Sequence, residues 1–414
     1  MFKRIAAIVM VLALTALLGL TIYASIDDVA QPVKLTVHEW GTFTSVAGPD
    51  GKAAQWLPLA GPSDLPCFVD YFQNRLYKYL GPLVTNTSPA VSIQKNAIDY
   101  FKARSELLGP IRMETPVLYF YSDRLQMVNV RVAFPKGFIT EWYPQATVHQ
   151  TPVRTGILQN SANTGATITW KNVEVLPGID SNVFPTGSSP SHYYAARETD
   201  ATPVRVDGKA EKFLFYRGVG GFPVPINVTV TDAGKIHVKH LTGKPSVILF
   251  ESRGGKLGYT VVDTAKNEAL LDSPALTGNF DGLRQKLESE LVRQGLYAKE
   301  ARAMVDTWRD SWFEEGTRLF YIVPPAMVDT ILPLTIEPKP AQGARVFVGR
   351  VEVFTPATLK AVEKAVHSND KAILSTYGRF LGPIMDRLPQ SKRTDSVLDA
   401  AFKEYINQAA SCSK

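Results

Sequence analysis

An unbroken apolar run from Ile5 to Ile22 divides this chain into two unequal parts. Lys3 and Arg4 precede it, and Asp27 and Asp28 follow it. The run matches the ~18–20 residues that cross a bilayer as a helix. Its positive flank predicts a cytoplasmic N-terminus and sends everything after Asp28 outward. A removable signal peptide has a shorter apolar core, ~7–15 residues, and a small-x-small cleavage site. The best cleavage point here follows Ala24 and places Ile22 three residues back. The reading therefore favours an uncleaved anchor over a removed signal, and both put residues 29–414 outside the cytoplasmic membrane. No comparable run follows, so the chain reads as a soluble body on one tether and not as a channel or transporter.

The body is long enough for one large or two ordinary domains. Its charge is mild: 45 Lys and Arg against 39 Asp and Glu give +6 over the whole chain. No Lys/Arg run suggests nucleic acid, and export argues against it. The two cysteines, Cys67 and Cys412, cannot build a cysteine metal cluster alone. Outside the cytoplasm a bridge between them is permitted.

Period-2 alternation dominates from Pro116 to about Asp263. Val128, Val130, Val132 and Phe134 alternate with Asn129, Arg131 and Ala133, the pattern of a half-buried strand. Ile226, Val228 and Val230 lead through the turn Asp232-Ala233-Gly234-Lys235 to Ile236 and Val238, which predicts a β-hairpin. Residues 33–46, 318–323 and 345–354 also read as strands. Helical spacing marks 68–80, 90–107, 280–313, 356–367, 369–388 and 394–409. Leu-Gly-Pro at 80–82, 108–110 and 381–383 reads as a recurring helix stop. The expected fold is α+β: a β-sandwich-like core with helical additions. The expected divisions are 1–28 (anchor or signal), 29–275 (strand-rich body) and 276–414, a mixed region completing the same body.

No strong catalytic motif is present. His38-Glu39-Trp40-Gly41-Thr42 lacks the second histidine of a zinc-protease helix and lies in a strand, where His38 and Trp40 share a face and Glu39 points the other way. His192, Tyr194, Arg197, Glu198 and Asp200 crowd one loop, where Arg197 could clamp an anion and Glu198 and Asp200 could serve as acids. Glu-Trp pairs at Glu39-Trp40 and Glu141-Trp142, with Trp308, Trp312, Glu314, Glu315 and Arg318, have the composition of a sugar-binding surface. Two facing carboxylates among them would suit a glycosidase. The bland alternative for each is an ordinary core ring or a solvated ion pair. No metal or cofactor is expected.

Four strings carry a resemblance: Val37–Val46, Met113–Tyr121, Tyr194–Asp200 and Arg345–Arg350. Together they resemble a group of exported, uncharacterised bacterial proteins from phyla such as acidobacteria and planctomycetes. The resemblance implies a bacterial envelope location and a shared fold. It implies no activity and no functional residue. The expectation is thus an inner-membrane, single-pass protein with its body in the periplasm or beyond, secreted if the signal is cleaved. It would bind a glycan or an envelope protein. The alternative is an exported hydrolase of a polysaccharide or cell-wall polymer, using paired carboxylates.

Overall fold

The computed structural model describes residues 34–59, 65–71, 108–151, 165–187, 190–242, 246–262 and 267–389. The expected anchor, the helices over 90–107 and 394–409, and Cys412 lie outside these residues. Cys67 is disulfide-bonded.

The first half is built almost entirely from strands: β1 (Thr36–Val46), β2 (Asp70–Tyr71), β3 (Ile111–Tyr121), β4 (Gln126–Phe134), β5 (Gly137–Tyr143), β6 (Thr147–Gln150) and β7 (Ala166–Val175). There follow β8 (Val204–Val206), β9 (Lys209–Glu211), β10 (Leu214–Gly220), β11 (Ile226–Val230), β12 (Ile236–His240), β13 (Val247–Arg253), β14 (Lys256–Val262) and β15 (Glu268–Leu271). Helices α1 (Phe280–Arg293), α2 (Ala298–Thr307) and α3 (Arg309–Trp312) precede β16 (Gly316–Ile322). Then come α4 (Pro325–Ile331), β17 (Leu334–Glu337), β18 (Gln342–Val353), α5 (Pro356–His367), α6 (Lys371–Ser375) and α7 (Leu381–Met385).

Nine strands form the central sheet, in the order β14-β13-β16-β18-β1-β3-β10-β5-β2. Only β1 and β18 run parallel; the other pairings are antiparallel. The late strands β16 and β18 thus return to the sheet that β1 begins. One face packs Phe43, Met113, Leu118, Tyr216, Leu319 and Phe347 against a second sheet carrying Val128, Val130, Val132, Ile168 and Trp170. This is the sandwich layer. The opposite face packs Trp40, Val117, Tyr119, Phe250, Phe320 and Val346 against Leu283, Leu287 and Leu291 of α1 and Ala301, Met304 and Val305 of α2. The architecture is a β-rich α+β fold, with helices on one side of the main sheet and strands on the other.

This layering explains which strands alternate. β4 faces the core on one side only and reads buried-exposed throughout. β1, β3 and β18 are covered on both faces, so both parities are buried. A covered Leu or Phe contributes about 1.5–3 kcal/mol, so the doubly covered strands are where apolar stabilisation concentrates. α1 starts where the Asn279 side chain accepts the Gly282 N–H at 2.8 Å. Gly295, at φ +113°, takes the left-handed backbone just past its end.

Three expectations need correction. Asp70–Tyr71 is a strand on the edge of β5, so the helix expected over 68–80 does not include them. The helix expected over 369–388 is broken into α6, a 3-10 turn at Gly378–Phe380, and α7. Gly378 interrupts it with φ +48°. Leu381-Gly382-Pro383 opens α7 and does not end a helix. Proline is tolerated in a first turn because its missing N–H has no partner to lose there.

Candidate functional site

On the helix-covered face the apolar packing gives way to a polar band at the C-terminal ends of β1 and β18. The strand register sets it out. Arg350, Thr44 and Arg112 are cross-strand neighbours on β18, β1 and β3. Thr42 pairs with Glu114, Arg318 with Glu352, and Arg217 with Glu141. Six adjacent strands therefore contribute to one row. All these side chains are buried, and Arg318, Arg350 and Glu114 are 0% exposed. From above, the band is met by Glu314 after α3 and by Arg379 and Phe380 before α7. The Arg350 and Arg379 guanidiniums lie 4.7 and 5.2 Å from the Phe380 ring centre. The Arg217 guanidinium lies 5.6 Å from the Trp308 ring centre.

Ion pairs knit the band together. Arg318 donates to both oxygens of Glu352 at 3.1 Å, and its other N–H groups donate to the carbonyls of Trp312, Glu314 and Glu315. That clamp fixes the turn carrying Glu314. Gly316, at φ +123°, allows it: a Cβ there would approach Glu352 Oε1 at 2.9 Å. Arg350 Nη2 reaches Glu314 Oε1 at 3.1 Å and Glu352 Oε2 at 3.2 Å. Arg379 Nη1 lies 2.7 Å from Glu114 Oε1. Beside Glu114, Thr115 holds φ +46° at a register shift opposite Gly41. A β-branched residue there carries about 1–3 kcal/mol of backbone strain, which functional sites commonly hold.

The two acids facing this charge differ. Burial pushes the Glu114 carboxyl up, but Arg379, Arg112, Arg350 and Arg217 more than offset it and hold it below the usual range. Burial also pushes Glu314 up, and there Arg350, Arg379 and Arg318 fail to cancel the effect, to which Glu352 adds. Five guanidiniums face four carboxylates, so the band holds one more cationic than anionic side chain. Several buried donors also find no acceptor among the described residues: Nε and Nη1 of Arg350, Nε and Nη2 of Arg379, and Nε1 of Trp308 and Trp312. An unmade buried hydrogen bond costs about 1–3 kcal/mol, more for a charged donor. The same row also holds buried oxygens without a hydrogen-bond partner among the described residues, those of Glu114, Thr42 and Thr44; guanidinium donors of this kind are suited to oxyanions.

The raised Glu314 has a direct consequence. A folded carboxyl that holds its proton more tightly than the unfolded one loses stability as pH rises from about 4.3 through its folded pKa. Gln cannot ionise. Glu314→Gln is therefore expected to be more stable than the parent at pH 7 and indistinguishable at pH 4 in urea unfolding. Lower stability at pH 7 would mean instead that the ion pair with Arg350 is net favourable.

At the other end of β1 lies an open cleft of about 1150 Å³, lined by His38, Glu39, Tyr297, Asp329, Glu337 and Arg345 among others. His38 and Glu39 do face opposite ways. His38 Nδ1 lies 2.8 Å from Glu300 Oε2, whose carboxylate also accepts from Tyr121 Oη and the Tyr297 N–H. Glu39 turns to the sandwich side and takes Arg345 Nε at 2.6 Å and Tyr216 Oη at 2.6 Å. Arg345 also reaches Asp329 Oδ1, at 2.7 Å.

Most residues singled out from sequence have structural duties. Arg197 is held within the fold: Nε and Nη2 donate to Glu211 at 2.9 and 2.6 Å, and a further bond goes to the Pro185 carbonyl. Tyr194 Oη accepts the Gly187 N–H, and His192 sits half-buried on the same 3-10 turn, His192–Arg197. Glu198 is exposed, and Asp200 pairs with Lys299 on the surface. Glu315 accepts the Gly254 N–H. Trp40, Trp308 and Trp312 are buried, and Trp142 packs half-buried on the sandwich side. They do not form the open ring surface that sugar stacking requires, because helix and sheet close over them. No group of three or more His, Cys, Asp or Glu gathers for a metal among the described residues. Of the expected acids, Glu314 and Glu141 reach the band. Sequence reasoning missed Arg112, Glu114, Arg217, Arg350, Glu352 and Arg379. The available signal was a charge inside an otherwise apolar strand run, as in Arg350-Val351-Glu352-Val353-Phe354. Three of the four resemblance strings supply band residues or their strands: β1, β3 and β18.

No protein-family model matches the chain, and no curated protein does. A similar solved structure is the Fcho1 Mu homology domain of Danio rerio with bound Eps15 peptide. It is 7% identical, covers 78% of this chain and 97% of its own, and superposes with a TM-score of 0.28. A likeness at that level supports no argument about function.

Proposed function

We propose that this chain is a tethered protein of the bacterial envelope that binds an anionic group outside the cytoplasmic membrane, through the polar band. The anion would belong to a small solute, an envelope glycan or a partner protein. One observation carries the reading: buried Arg350 and half-buried Arg379 present N–H donors that no described residue accepts. Structural arginines in the same fold behave otherwise. Arg318 and Arg197 are matched by carboxylates and carbonyls. The anchor reading of residues 5–22 supplies the location.

The test is thermal unfolding of the full chain in detergent with phosphate, sulfate, acetate or chloride at equal ionic strength. Binding to the folded state alone raises the apparent stability by about 2.7 kcal/mol at a hundred times Kd. The expected result is a rise with at least one oxyanion over chloride, lost in Arg350→Met. Equal unfolding in all four salts would end the binding reading.

A second reading, the exported hydrolase, has one favouring observation. Glu114 and Glu314 share Arg350 and Arg379 as neighbours, and their carboxyls are pushed in opposite directions, the usual preparation of an acid and a base. Release of sugar ends from cell-wall fractions by the parent but not by Glu314→Gln would favour it.

A further inference from the structure

We infer that Glu314 makes the band selective for an oxyanion that carries its own proton, hydrogen phosphate, over one that carries none, such as sulfate. This rests on the anion-binding reading above and names its ligand class.

Donors and acceptors decide the selectivity. Arg350 already gives Nη2 to Glu314 and Glu352, and Nε and Nη1 remain to be matched. An oxyanion taking those donors sits beside the Glu314 carboxyl, which shares the same guanidinium. The groups facing Glu314 are Arg350 and Glu352 from β18, Arg318 from β16 and Arg379 ahead of α7. Glu352 is committed to Arg318 and Arg350, and the fully buried Glu114 to Arg379, so Glu314 is the acid left to meet the ligand. It is also the acid at the rim: its side chain is 18% exposed, against 3% for Glu352, and its neighbour Gly378 is exposed. A Cβ on Gly378 would come within 3.2 Å of Glu314 Oε2, so the glycine keeps that oxygen uncovered.

An ionised carboxylate can only accept. Against hydrogen phosphate it accepts the P–OH proton and completes the contact. Against sulfate, which has no proton above about pH 3, its lone pairs meet those of the ligand and both stay desolvated. Sites that hydrogen-bond a ligand hydroxyl reject the analogue lacking it by large factors. An amide behaves differently, since its NH2 can donate to either anion. Below the folded pKa of Glu314 the acid itself becomes a donor, and the discrimination falls.

Isothermal titration of the full chain in detergent, at pH 8, with inorganic phosphate and with sodium sulfate tests this. The expected result is phosphate binding at least ~100-fold tighter than sulfate, by the rejection factor for a missing hydroxyl. Glu314→Gln should bring the two within about tenfold, chiefly by gaining sulfate. Circular dichroism of the variant confirms that it folds. Equal binding of both anions by the parent, or a gap that persists in Glu314→Gln, would overturn the selector while leaving the anion reading intact. Phosphate binding that survives Arg350→Met would place the anion elsewhere, and no binding of either would overturn both.

Discussion

Glu114→Gln is expected to lose about 3–5 kcal/mol of stability at pH 7, the usual cost of leaving buried charge unpaired. That is a large share of the ~5–15 kcal/mol of a whole domain, so this variant should be the most damaging in the band. Glu114 is fully buried, and four guanidiniums, Arg379, Arg112, Arg350 and Arg217, act on it. Gln keeps the shape and removes the charge those cations face. The pH dependence separates charge from packing. The folded pKa of Glu114 is depressed, so its contribution is fully present above the unfolded value, about 4.3, and is lost as pH falls through the folded one. Parent and variant should therefore converge in urea unfolding as pH drops from 5 toward 3. A constant difference over that range would mean that Gln disturbs the packing and that the charge is incidental. The opposite sign at Glu314, a neighbour in the same cluster, makes the pair diagnostic.

Gly349→Ala is expected to cost about 1–3 kcal/mol or more through overpacking, although it adds a single methyl group. Gly349 lies at the middle of β18, between Phe43 on β1 and Tyr321 on β16. The buried Tyr321 ring lies directly over it, and a Cβ would fall inside the ring's van der Waals envelope. Tyr321 belongs to the sandwich core and cannot swing outward without opening that layer. The mechanism predicts coupling. In a cycle with Tyr321→Ala, the double variant should lose clearly less than the sum of the two single losses, since removing the ring removes the clash. Four urea melts give the answer, and additive losses would show that the backbone, and not the ring, objects to the methyl.

Elements whose two sides meet different surroundings are legible in the residues alone. β4 and the β11–β12 hairpin have one face toward the core and one toward water, so Val128, Val130 and Val132, then Ile226, Val228, Ile236 and Val238, print their period directly. α1 does the same through Leu283, Leu287 and Leu291. The opposite faces of His38 and Glu39 follow from the strand period alone. None of this sufficed for the site. β1, β3 and β18 are covered on both faces, so their polar residues carry no periodic signature, and nothing local marks Arg350 or Glu114 as different from a surface charge. What selects them is the strand order. β16, β18, β1, β3, β10 and β5 lie side by side although their segments are spread from residue 36 to residue 353. Only that order, with the parallel pairing of β1 and β18, brings Thr42, Thr44, Arg112, Glu114, Arg217, Arg318 and Arg350 to one face. Only the helices and turns packed over that face then remove them from water. Period is a property of neighbours along the chain, and it survives in the sequence. The charge balance of a buried band is a property of neighbours across a sheet, and the tertiary structure alone decides it.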